Sequence, residues 1–316
     1  MYSPTDPRSN MKSAGPATAP KDPYANNDRS TIGFAAAEYV KFHEVPPQEA
    51  HVGALTWYGR GQNFIIAYTE AKSSATFVRE AQPDEFVLLL PDEASKATIA
   101  TPQERREVAG YSLVIVPPGR STIEVSGGTI VRVFTTQSAD LAAQCVNAAA
   151  YAQPHPHIPP FKPWPAPPAG HAIRAYSLDV PPQEGRFGRI WRCSGLMINF
   201  LPREDAPRDI TKLSPHHHDD FEQCSLAIRG AFMHHIRWPW VANSRHWRSD
   251  DHELCPAPSM AVIPPPAIHT SAGTEKVNQL IDIFSPPRLD FSKMSGWVLN
   301  ADEYPMPAGP TPEGSR

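Results

Sequence analysis

The amino-acid sequence predicts an all-β protein made of two tandem barrels. Proline accounts for 37 of the 316 residues, and a chain so rich in a residue that breaks helices favours strands and turns. Short apolar segments separated by Gly and Pro recur along both halves, which is the pattern of an all-β sandwich or barrel. The two halves also resemble each other, and the length allows two domains of ordinary size.

The first half supplies regularly spaced apolar segments that are predicted to be strands, at 63–67, 85–90, 111–116 and 128–134. Segment 140–150 is the one good helix candidate, and it would close the first barrel, which is assigned to residues 33–150. Residues 1–32 contain few side chains that could build a core, so they are predicted to form a disordered arm.

A Pro-rich segment, residues 151–170, separates the halves and is predicted to be a stiff linker of polyproline character. His155 and His157 lie between its prolines with no strand after them, so we interpret them as ordinary loop residues. The second barrel is assigned to residues 171–303. The polar tail after it, residues 304–316, is expected to be loose.

An internal repeat relates the two halves. Residues 116–122 (VPPGRST) parallel residues 263–269 (IPPPAIH), and residues 131–134 (VRVF) parallel residues 280–284 (LIDIF). In the first copy a threonine stands where the second has a histidine, and no His-x-His motif precedes it. The first barrel is therefore predicted to keep the architecture without a metal site, as a partner for packing, dimerisation or shaping a pocket.

The densest group of candidate metal ligands is PHHHDDFEQ, residues 215–223, which precedes an apolar run. If this segment is a regular strand, His216, His218 and Glu222 point to the same face, because side chains alternate with a period of two. Two imidazoles and a carboxylate on one face are suitable ligands for a divalent transition metal. A further candidate, His269, follows a second Pro-rich turn.

This His-x-His-x3-Glu pattern, with a strand and a glycine after it and a lone histidine beyond a Pro-rich turn, resembles the two-part signature of the cupin superfamily. The resemblance implies two cupin-type (double-stranded β-helix, or jelly-roll) barrels, with one metal in the second, bound by His216, His218, Glu222 and His269. The sequence departs from the usual pattern at three points. Ile210 stands where a glycine is usual, the spacing from Glu222 to Gly230 is one residue longer, and the Pro-x-Gly turn reads Pro-Pro-Pro.

Two alternatives remain open for these residues. A His-rich surface loop could carry the histidines without binding a metal, and His217 could replace His216 if the strand begins irregularly. Cys224 shares the parity of Glu222, so it is predicted to face inward below the metal as a small buried apolar residue.

The segment between the two motifs is dense in Trp, His and Arg. It could hold an anionic or aromatic small molecule over the metal, or it could cover a dimer interface or the end of the barrel. The candidate substrate-binding residues are Trp238, Trp240, Arg245 and Trp247.

Three candidates for a catalytic role in proton transfer precede this loop: His234, His235 and Arg237. Only one of two neighbouring histidines on a strand can face the barrel interior, where it could support the metal or act as an acid or base. A buried histidine that is simply hydrogen-bonded is the competing interpretation.

Charge and cysteine content argue against several classes of protein. With 29 basic and 33 acidic residues, the net charge of −4 gives no indication of a nucleic-acid or anionic-membrane partner. No apolar stretch reaches the ~18 residues of a membrane span, and the polar N-terminus lacks the apolar core of a secretory signal. Four widely spaced cysteines fit reduced thiols in a cytoplasmic protein.

The candidate ligand set suits Fe(II), which we favour, or Mn(II), Ni(II), Cu(II) or Zn(II). The first hypothesis is a metal-dependent enzyme that acts on a small molecule, with a dioxygen-dependent oxygenase ahead of a Lewis-acid lyase, isomerase or decarboxylase. The competing hypothesis is a non-catalytic protein that binds a small ligand. Pairing through edge strands would make the protein a homodimer.

Overall fold

Four antiparallel sheets build the protein, two in each of two barrels. The computed structural model describes Arg8 and residues 33–308. The predicted arm, apart from Arg8, and the last part of the predicted tail lie outside these residues. The prediction of an all-β chain with two tandem barrels is confirmed.

Twelve strands precede the second barrel's own strands. They are β1 (Glu38–Lys41), β2 (Glu49–His51), β3 (Ala54–Arg60), β4 (Phe64–Ala71), β5 (Ala75–Gln82), β6 (Phe86–Leu90), β7 (Lys96–Ala100), β8 (Arg105–Ala109), β9 (Ser112–Val116), β10 (Gly119–Val125), β11 (Gly128–Thr135) and β12 (Arg174–Ser177). A seven-stranded sheet in the order β12-β9-β6-β11-β4-β3-β2 faces a four-stranded sheet in the order β5-β10-β7-β8. Strands β6 and β9 are buried at every position, whereas β10 alternates, because only the larger sheet is covered on both faces.

The second barrel follows the same plan. Its strands are β13 (Ile190–Arg192), β14 (Met197–Phe200), β15 (Gln223–Arg229), β16 (Ala231–Arg237), β17 (Asp251–Pro256), β18 (Ser259–Ile263), β19 (Ile268–Gly273) and β20 (Gln279–Phe284). A six-stranded sheet in the order β1-β18-β15-β20-β14-β13 faces a three-stranded sheet in the order β17-β16-β19.

Each half of the chain contributes one strand to the other half's barrel. Strand β1, from the first half, pairs with β18. Strand β12, which follows the Pro-rich segment, pairs with β9 of the first barrel. The limits assigned to the two barrels remain predictions, but the sheets themselves cross any single boundary in the chain.

The largest hydrophobic cluster lies between the barrels. It joins residues of the first half, such as Trp57 and Leu89, to residues of the second, such as Trp191 and Ile198. A separate cluster that includes Phe86, Leu88 and Phe134 fills the first barrel. All four cysteines are buried and none is disulfide-bonded.

The helix predicted for 140–150 is wrong in extent. Only Ala139–Ala142 is α-helical (α1), with a 3-10 turn at Ala148–Tyr151. Between them two residues hydrogen-bond to β3: Val146 N donates to Tyr58 O at 3.0 Å, and the Asn147 amide pairs with the backbone of Arg60.

The Pro-rich segment contains no regular structure beyond isolated turns, and the polyproline linker is not confirmed. Instead, the segment is hydrogen-bonded to both barrels. Its Ile158 carbonyl accepts from Gln62 of the first barrel at 2.9 Å, and Trp164 N donates to Ser194 O of the second at 2.7 Å. In the described part of the chain, no helix is both long and apolar enough to cross a membrane.

Candidate metal centre

Three histidines of the second barrel converge on one point. The candidate ligand nitrogens of His216, His218 and His269 all lie within 4.8 Å of one another. Their ring centroids are 4.5 to 5.1 Å apart. This arrangement of three of the four predicted ligands is the candidate metal centre.

Backbone pairing places two of the three rings side by side. His269 is the second residue of β19, and His216 forms an isolated antiparallel bridge with it. His216 N donates to His269 O at 3.0 Å, and His269 N donates to His216 O at 2.7 Å. His218 is positioned by packing, because its ring stacks on Phe221 with the centroids 4.4 Å apart.

A carbonyl-type oxygen faces one nitrogen of each ring and so fixes the tautomer. His216 Nδ1 is 2.9 Å from Ser214 O, and His269 Nδ1 is 3.0 Å from Ala267 O. His218 instead uses Nε2, which is 3.0 Å from Gln223 Oε1. Because these oxygens only accept, the facing nitrogens carry the protons, and the lone pairs lie on Nε2 of His216 and His269 and on Nδ1 of His218.

The histidines are held neutral by their surroundings. Burial, followed by the charges of neighbouring groups, puts the pKa values of His216 and His218 well below their usual range. Burial also lowers the pKa of His269 to about 4. Neutral imidazoles are the form that binds metals, so a metal can bind to the triad near neutral pH without displacing protons.

The residues present fit a divalent transition metal. His269 Nε2 is buried and makes no hydrogen bond within the described residues, which is costly unless another group satisfies its lone pair. Three imidazole nitrogens, each with its other ring nitrogen hydrogen-bonded to an oxygen, form a donor set typical of Fe, Ni, Cu or Zn. The alternative of a His-rich surface loop does not fit this cluster, because two of the three rings are buried.

Glu222, the fourth predicted ligand, is not part of this group. Its carboxylate accepts from Gln62 N at 2.6 Å and from the Tyr151 hydroxyl at 3.1 Å, both in the first half of the chain. Burial raises the pKa of Glu222 to about 7, while these two hydrogen bonds and nearby Arg60 act in the opposite direction. His217, the alternative to His216, is also outside the group and lies 3.8 Å from Asp219.

The strand expected over 216–222 is absent, which explains where Glu222 points. Beyond the bridge at His216 the chain is irregular until β15 begins at Gln223. In β15, Gln223 and Ser225 line the barrel cavity, whereas Cys224 packs in the cluster between the barrels. Glu222 and Cys224 do share a face, as predicted, but it is the face towards the other barrel and not the one below the metal.

A cavity of about 270 Å³ opens beside the triad. It is lined by His216, His269, Gln223, Ser225 and Asp282, together with Arg8, Arg208, Phe187, Phe232 and neighbouring residues. Its volume lies just below the ~300–1,000 Å³ typical of ligand pockets, so it suits a small molecule.

Asp282 is the buried acid of this cavity. It lies on β20, and its Oδ1 accepts from Ser225 Oγ at 2.9 Å and from Gln223 Nε2 at 3.3 Å. Burial raises its pKa to about 6, against the effects of the Ser225 hydrogen bond and of Arg8 and Arg288. Gln223 therefore connects the carboxyl to His218, and the carboxyl titrates close to neutral pH.

Two arginines bring positive charge to the same cavity. Arg208 donates to Ser271 O at 3.3 Å and to Ser214 Oγ at 3.2 Å. The Arg8 guanidinium lies 4.1 Å from the centroid of the Phe187 ring, and its charge contributes to the low pKa values of His216 and His269. The cavity thus combines metal ligands, an acid and two cations.

The three predicted catalytic candidates lie at different depths on β16. His234 is buried, with Nδ1 2.8 Å from Ser271 Oγ and no hydrogen bond to Nε2 within the described chain. His235 is on the outer face, with its Nδ1 2.7 Å from His252 Nδ1. Arg237 is exposed and paired with Asp250 at 2.9 Å. None of the three lines the cavity of about 270 Å³, but His235 and Arg237 line a smaller one of about 170 Å³ that His269 also borders.

The structure places the predicted substrate-binding residues away from that cavity as well. Trp238 is buried in a side cluster and donates to Asp251 at 3.1 Å. Trp240 and Trp247 stack on each other with centroids 4.6 Å apart, on the surface, and Arg245 lies in the short turn beside them. A role of these residues in substrate binding stays a prediction.

The sequence interpretation missed Asp282 and Gln223 as site residues. A signal for Asp282 was present, since it is the one charged residue in the otherwise apolar run LIDIF, and a charge is rarely buried without a partner or a role. No comparable signal marked Gln223, because its role depends on where β15 begins.

No protein-family sequence model matches the chain, and no curated protein matches it in sequence. Solved structures do match its fold. The chain is similar to AerE from Microcystis aeruginosa, with 9% identity and a TM-score of 0.50, over 81% of this chain and 99% of that one. It is also similar to a cupin 2 conserved barrel domain protein from Leptotrichia buccalis, with 11% identity and a TM-score of 0.42, over 80% and 97% of the two chains.

A third similar structure is the oxalate decarboxylase formate complex from Lactobacillus farciminis. It is 13% identical with a TM-score of 0.47, over 81% of this chain and 86% of that one. At such identities the likeness concerns the fold alone and not an activity. The strand order gives the chain two tandem antiparallel barrels, the second with the histidine triad, and the match to AerE spans both barrels.

Proposed function

We propose that the second barrel is a mononuclear metal-dependent enzyme acting on a small anionic molecule, with Asp282 as its proton-transfer group. One observation carries this proposal. Two imidazoles of the triad, His216 and His269, line the same cavity of about 270 Å³ as a buried carboxyl whose pKa is raised to about 6. A buried acid with a perturbed pKa in a cavity is typical of catalytic sites.

His216, His218 and His269 would hold the metal, which would polarise a substrate carbonyl or carboxylate or bring a substrate together with dioxygen. Arg208 and Arg8 favour an anionic substrate, because both place positive charge at the cavity. Asp282 can hold or release a proton at its carboxyl near neutral pH, which general acid–base catalysis requires. This combination favours elimination, isomerisation or decarboxylation.

A dioxygen-dependent reaction is the second candidate, and one observation favours it. Only three protein ligands are within reach of one another in the described chain, which leaves room at a six-coordinate ion for more than one small molecule. Iron remains the metal we favour for this alternative, with Mn, Ni, Cu and Zn as the others. Assembly as a homodimer stays a prediction under either reaction.

Metal analysis of the purified protein beside its His216→Ala/His269→Ala variant is the first test. We expect about one transition-metal ion per chain in the wild type, since the triad forms one site, and none in the variant. The Trp240→Ala variant is the control for surface binding, because Trp240 is exposed and outside the triad. Equal metal content in all three proteins would contradict the site.

The second test separates the acid from the metal. Asp282→Asn should retain the metal and lose turnover on a panel of small carboxylates followed by NMR, whereas Glu204→Gln, at the cavity edge, should retain both. Running the panel with and without oxygen distinguishes the two reaction classes. Binding of carboxylates by the metal-loaded wild type without any turnover would favour a non-catalytic binding protein.

A further inference from the structure

The first barrel contains a buried arginine. Arg132 lies on β11, the central strand of the seven-stranded sheet, between Ala67 of β4 and Leu88 of β6. Only 5% of Arg132 is exposed. Its neighbours on the same face of β11, Ile130 and Phe134, belong to the cluster that fills the barrel, so the guanidinium is inside it.

Two nitrogens of this guanidinium have no acceptor. Nε and Nη2 of Arg132 are buried and make no hydrogen bond to any described residue. The Arg132 Cζ lies 4.0 Å from the centroid of the Phe77 ring. A cation–π contact uses the face of the guanidinium, and it leaves the N–H groups at the edge unsatisfied.

The groups around Arg132 do not supply the missing acceptor. Tyr58 is hydrogen-bonded to the guanidinium, but this bond satisfies neither Nε nor Nη2. Glu49 acts on it only as a nearby charge. Arg79 adds a second positive charge, and its own partner, Asp140, already accepts from both of its Nη atoms at 2.6 and 3.0 Å.

The two orphaned nitrogens form the edge of arginine that binds carboxylates side-on. The chain itself uses that edge elsewhere: Nε and Nη2 of Arg237 both donate to Asp250, at 3.0 and 2.9 Å. In Arg132 the same edge is buried without an anion. Buried N–H groups of a charged side chain that lack an acceptor are costly, because they lose the hydrogen bonds that they make in water.

A second unsatisfied polar group faces the same interior. Ser121 lies on β10 of the facing sheet and is 1% exposed, and its Oγ makes no hydrogen bond to the described part of the chain. It shares the inward face of β10 with Ile123 and Val125. The barrel thus contains unused hydrogen-bond donors on both of its sheets.

The internal repeat relates Arg132 to the buried acid of the second barrel. Arg132 in VRVF corresponds to Asp282 in IDIF, and the strands on either side correspond as well: β4 and β6 flank Arg132 as β14 and β15 flank Asp282. The barrel with the histidine triad carries an acid at this position, and the other barrel carries a cationic side chain.

We infer that the first barrel binds a small anion of carboxylate type at the Nε–Nη2 edge of Arg132. The anion has few atoms, because apolar side chains such as Phe77 and Phe134 fill the surrounding interior. A planar two-oxygen anion of the size of formate matches the two parallel donors. A halide is the other small anion that could occupy the same position.

Thermal unfolding of the full-length, metal-loaded protein tests this inference with formate as the probe. Formate is titrated against gluconate at constant ionic strength, because gluconate is too large to enter the first barrel. The melting temperature of the wild type should rise saturably, by about 2 to 5 °C at ten times the dissociation constant, because the anion binds only the folded state. Arg132→Met, which keeps the length and removes the charge, should show a smaller rise, because formate can then bind only at the metal site of the second barrel.

Arg192→Met is the matched control. Arg192 is equally buried, but its Nε and Nη2 already donate to Tyr304 O, so this variant should keep the formate effect even if it is less stable. An equal formate effect in the wild type and in Arg132→Met would overturn the inference, since the anion would then bind elsewhere.

A crystal of the wild type soaked in bromide keeps the inference testable if Arg132→Met does not fold. We expect an anomalous peak within hydrogen-bonding distance of Nε and Nη2 of Arg132, and this peak should be reduced by formate. A crystal without a peak at that position would contradict an anion site. A bromide peak that formate does not displace would overturn the carboxylate assignment in favour of a halide.

Discussion

At the scale of single residues, Gln223 connects the histidine triad to the buried acid Asp282. Its side-chain oxygen fixes the proton on His218, and its nitrogen donates to Asp282 and Ser225. Residues that orient a metal-binding histidine commonly change metal affinity by ~10–100-fold when they are removed. The same amide also donates to the acid, so the histidine triad and the buried carboxyl share one support.

Replacement of Gln223 by Ala should weaken metal binding by about 10- to 100-fold, because His218 loses the acceptor that fixes its tautomer. Competition with a coloured chelator measures this affinity. Gln279→Ala is the control: Gln279 is as buried as Gln223, but it donates to Leu201 O and lies outside the cavity of the triad. The role assigned to Gln223 fails if the two variants bind metal equally well.

Glu222 predicts a pH dependence of stability. Its pKa is raised from 4.5 to about 7 by burial, so the folded protein favours the protonated form. The stabilisation of the folded state is therefore complete below pH 4.5 and is lost as the pH rises towards 7. The unfolding free energy of the wild type should fall by about 3 kcal/mol over this range relative to Glu222→Gln, which cannot ionise.

Urea unfolding of both metal-free proteins between pH 4.5 and 8 measures this difference, and the histidines cancel because they are present in both. Glu80→Gln provides a reference at an exposed glutamate paired with Arg120. A constant difference between wild type and Glu222→Gln across the range would show that Glu222 is ionised in the folded protein.

The histidine triad could be predicted from the sequence, because residue type and the family-like spacing together identify it. Glu222 could not be placed in this way. Its distance to Gly230 is one residue longer than in the pattern it resembles, and a shift of one residue moves a side chain to the opposite face of a strand. Asp282 was recognisable as a buried charge, but only the fold shows which cavity it lines.

At the scale of elements, the turn from β15 to β16 depends on Gly230. This residue has a φ of +76°, and a Cβ atom there would lie 2.3 Å from Val277 O and 2.4 Å from Asn278 Oδ1. A side chain at this position therefore meets both an unfavourable backbone conformation and a steric clash.

Gly230→Ala should destabilise the protein by about 3 kcal/mol or more, because the clash adds to the cost of the left-handed conformation. Gly185→Ala separates the two effects. Gly185 also has a φ of +76°, but nothing lies within 4 Å of its Cβ position, so it should cost only about 1 kcal/mol. Denaturant unfolding of both variants measures the gap, and equal losses would mean that the turn relaxes around the new methyl group.

Most elements followed from local patterns, and the exceptions have tertiary causes. The strands at 63–67, 85–90, 111–116 and 128–134 were predicted because buried strands produce continuous apolar runs. The helix at 140–150 is cut short by backbone hydrogen bonds to β3, which local propensity does not contain. The exchange of β1 and β12 could not be predicted from the sequence either, because each of these strands pairs with a strand of the other barrel.

At the scale of the whole molecule, Glu85 connects the two halves. It lies just before β6 in the first half and is 1% exposed. Its two carboxylate oxygens accept from the Tyr304 hydroxyl and from the Ser194 hydroxyl, both at 2.8 Å, and His171 Nδ1 lies 3.2 Å away. All three partners come from the second half, so one buried side chain joins residues separated by most of the chain.

Glu85→Ala should therefore lower the unfolding free energy by about 3 to 5 kcal/mol, because it leaves buried donors without an acceptor. As a control, Glu80→Ala removes an exposed ion pair and should lower the unfolding free energy by less than ~1 kcal/mol.

Both barrels of Glu85→Ala should nevertheless unfold in one calorimetric transition. Each barrel uses a strand from the other half, β1 or β12, so neither sheet can remain complete once the other has unfolded. Two resolved transitions in this variant would show that the exchanged strands are dispensable and that Glu85 alone couples the barrels.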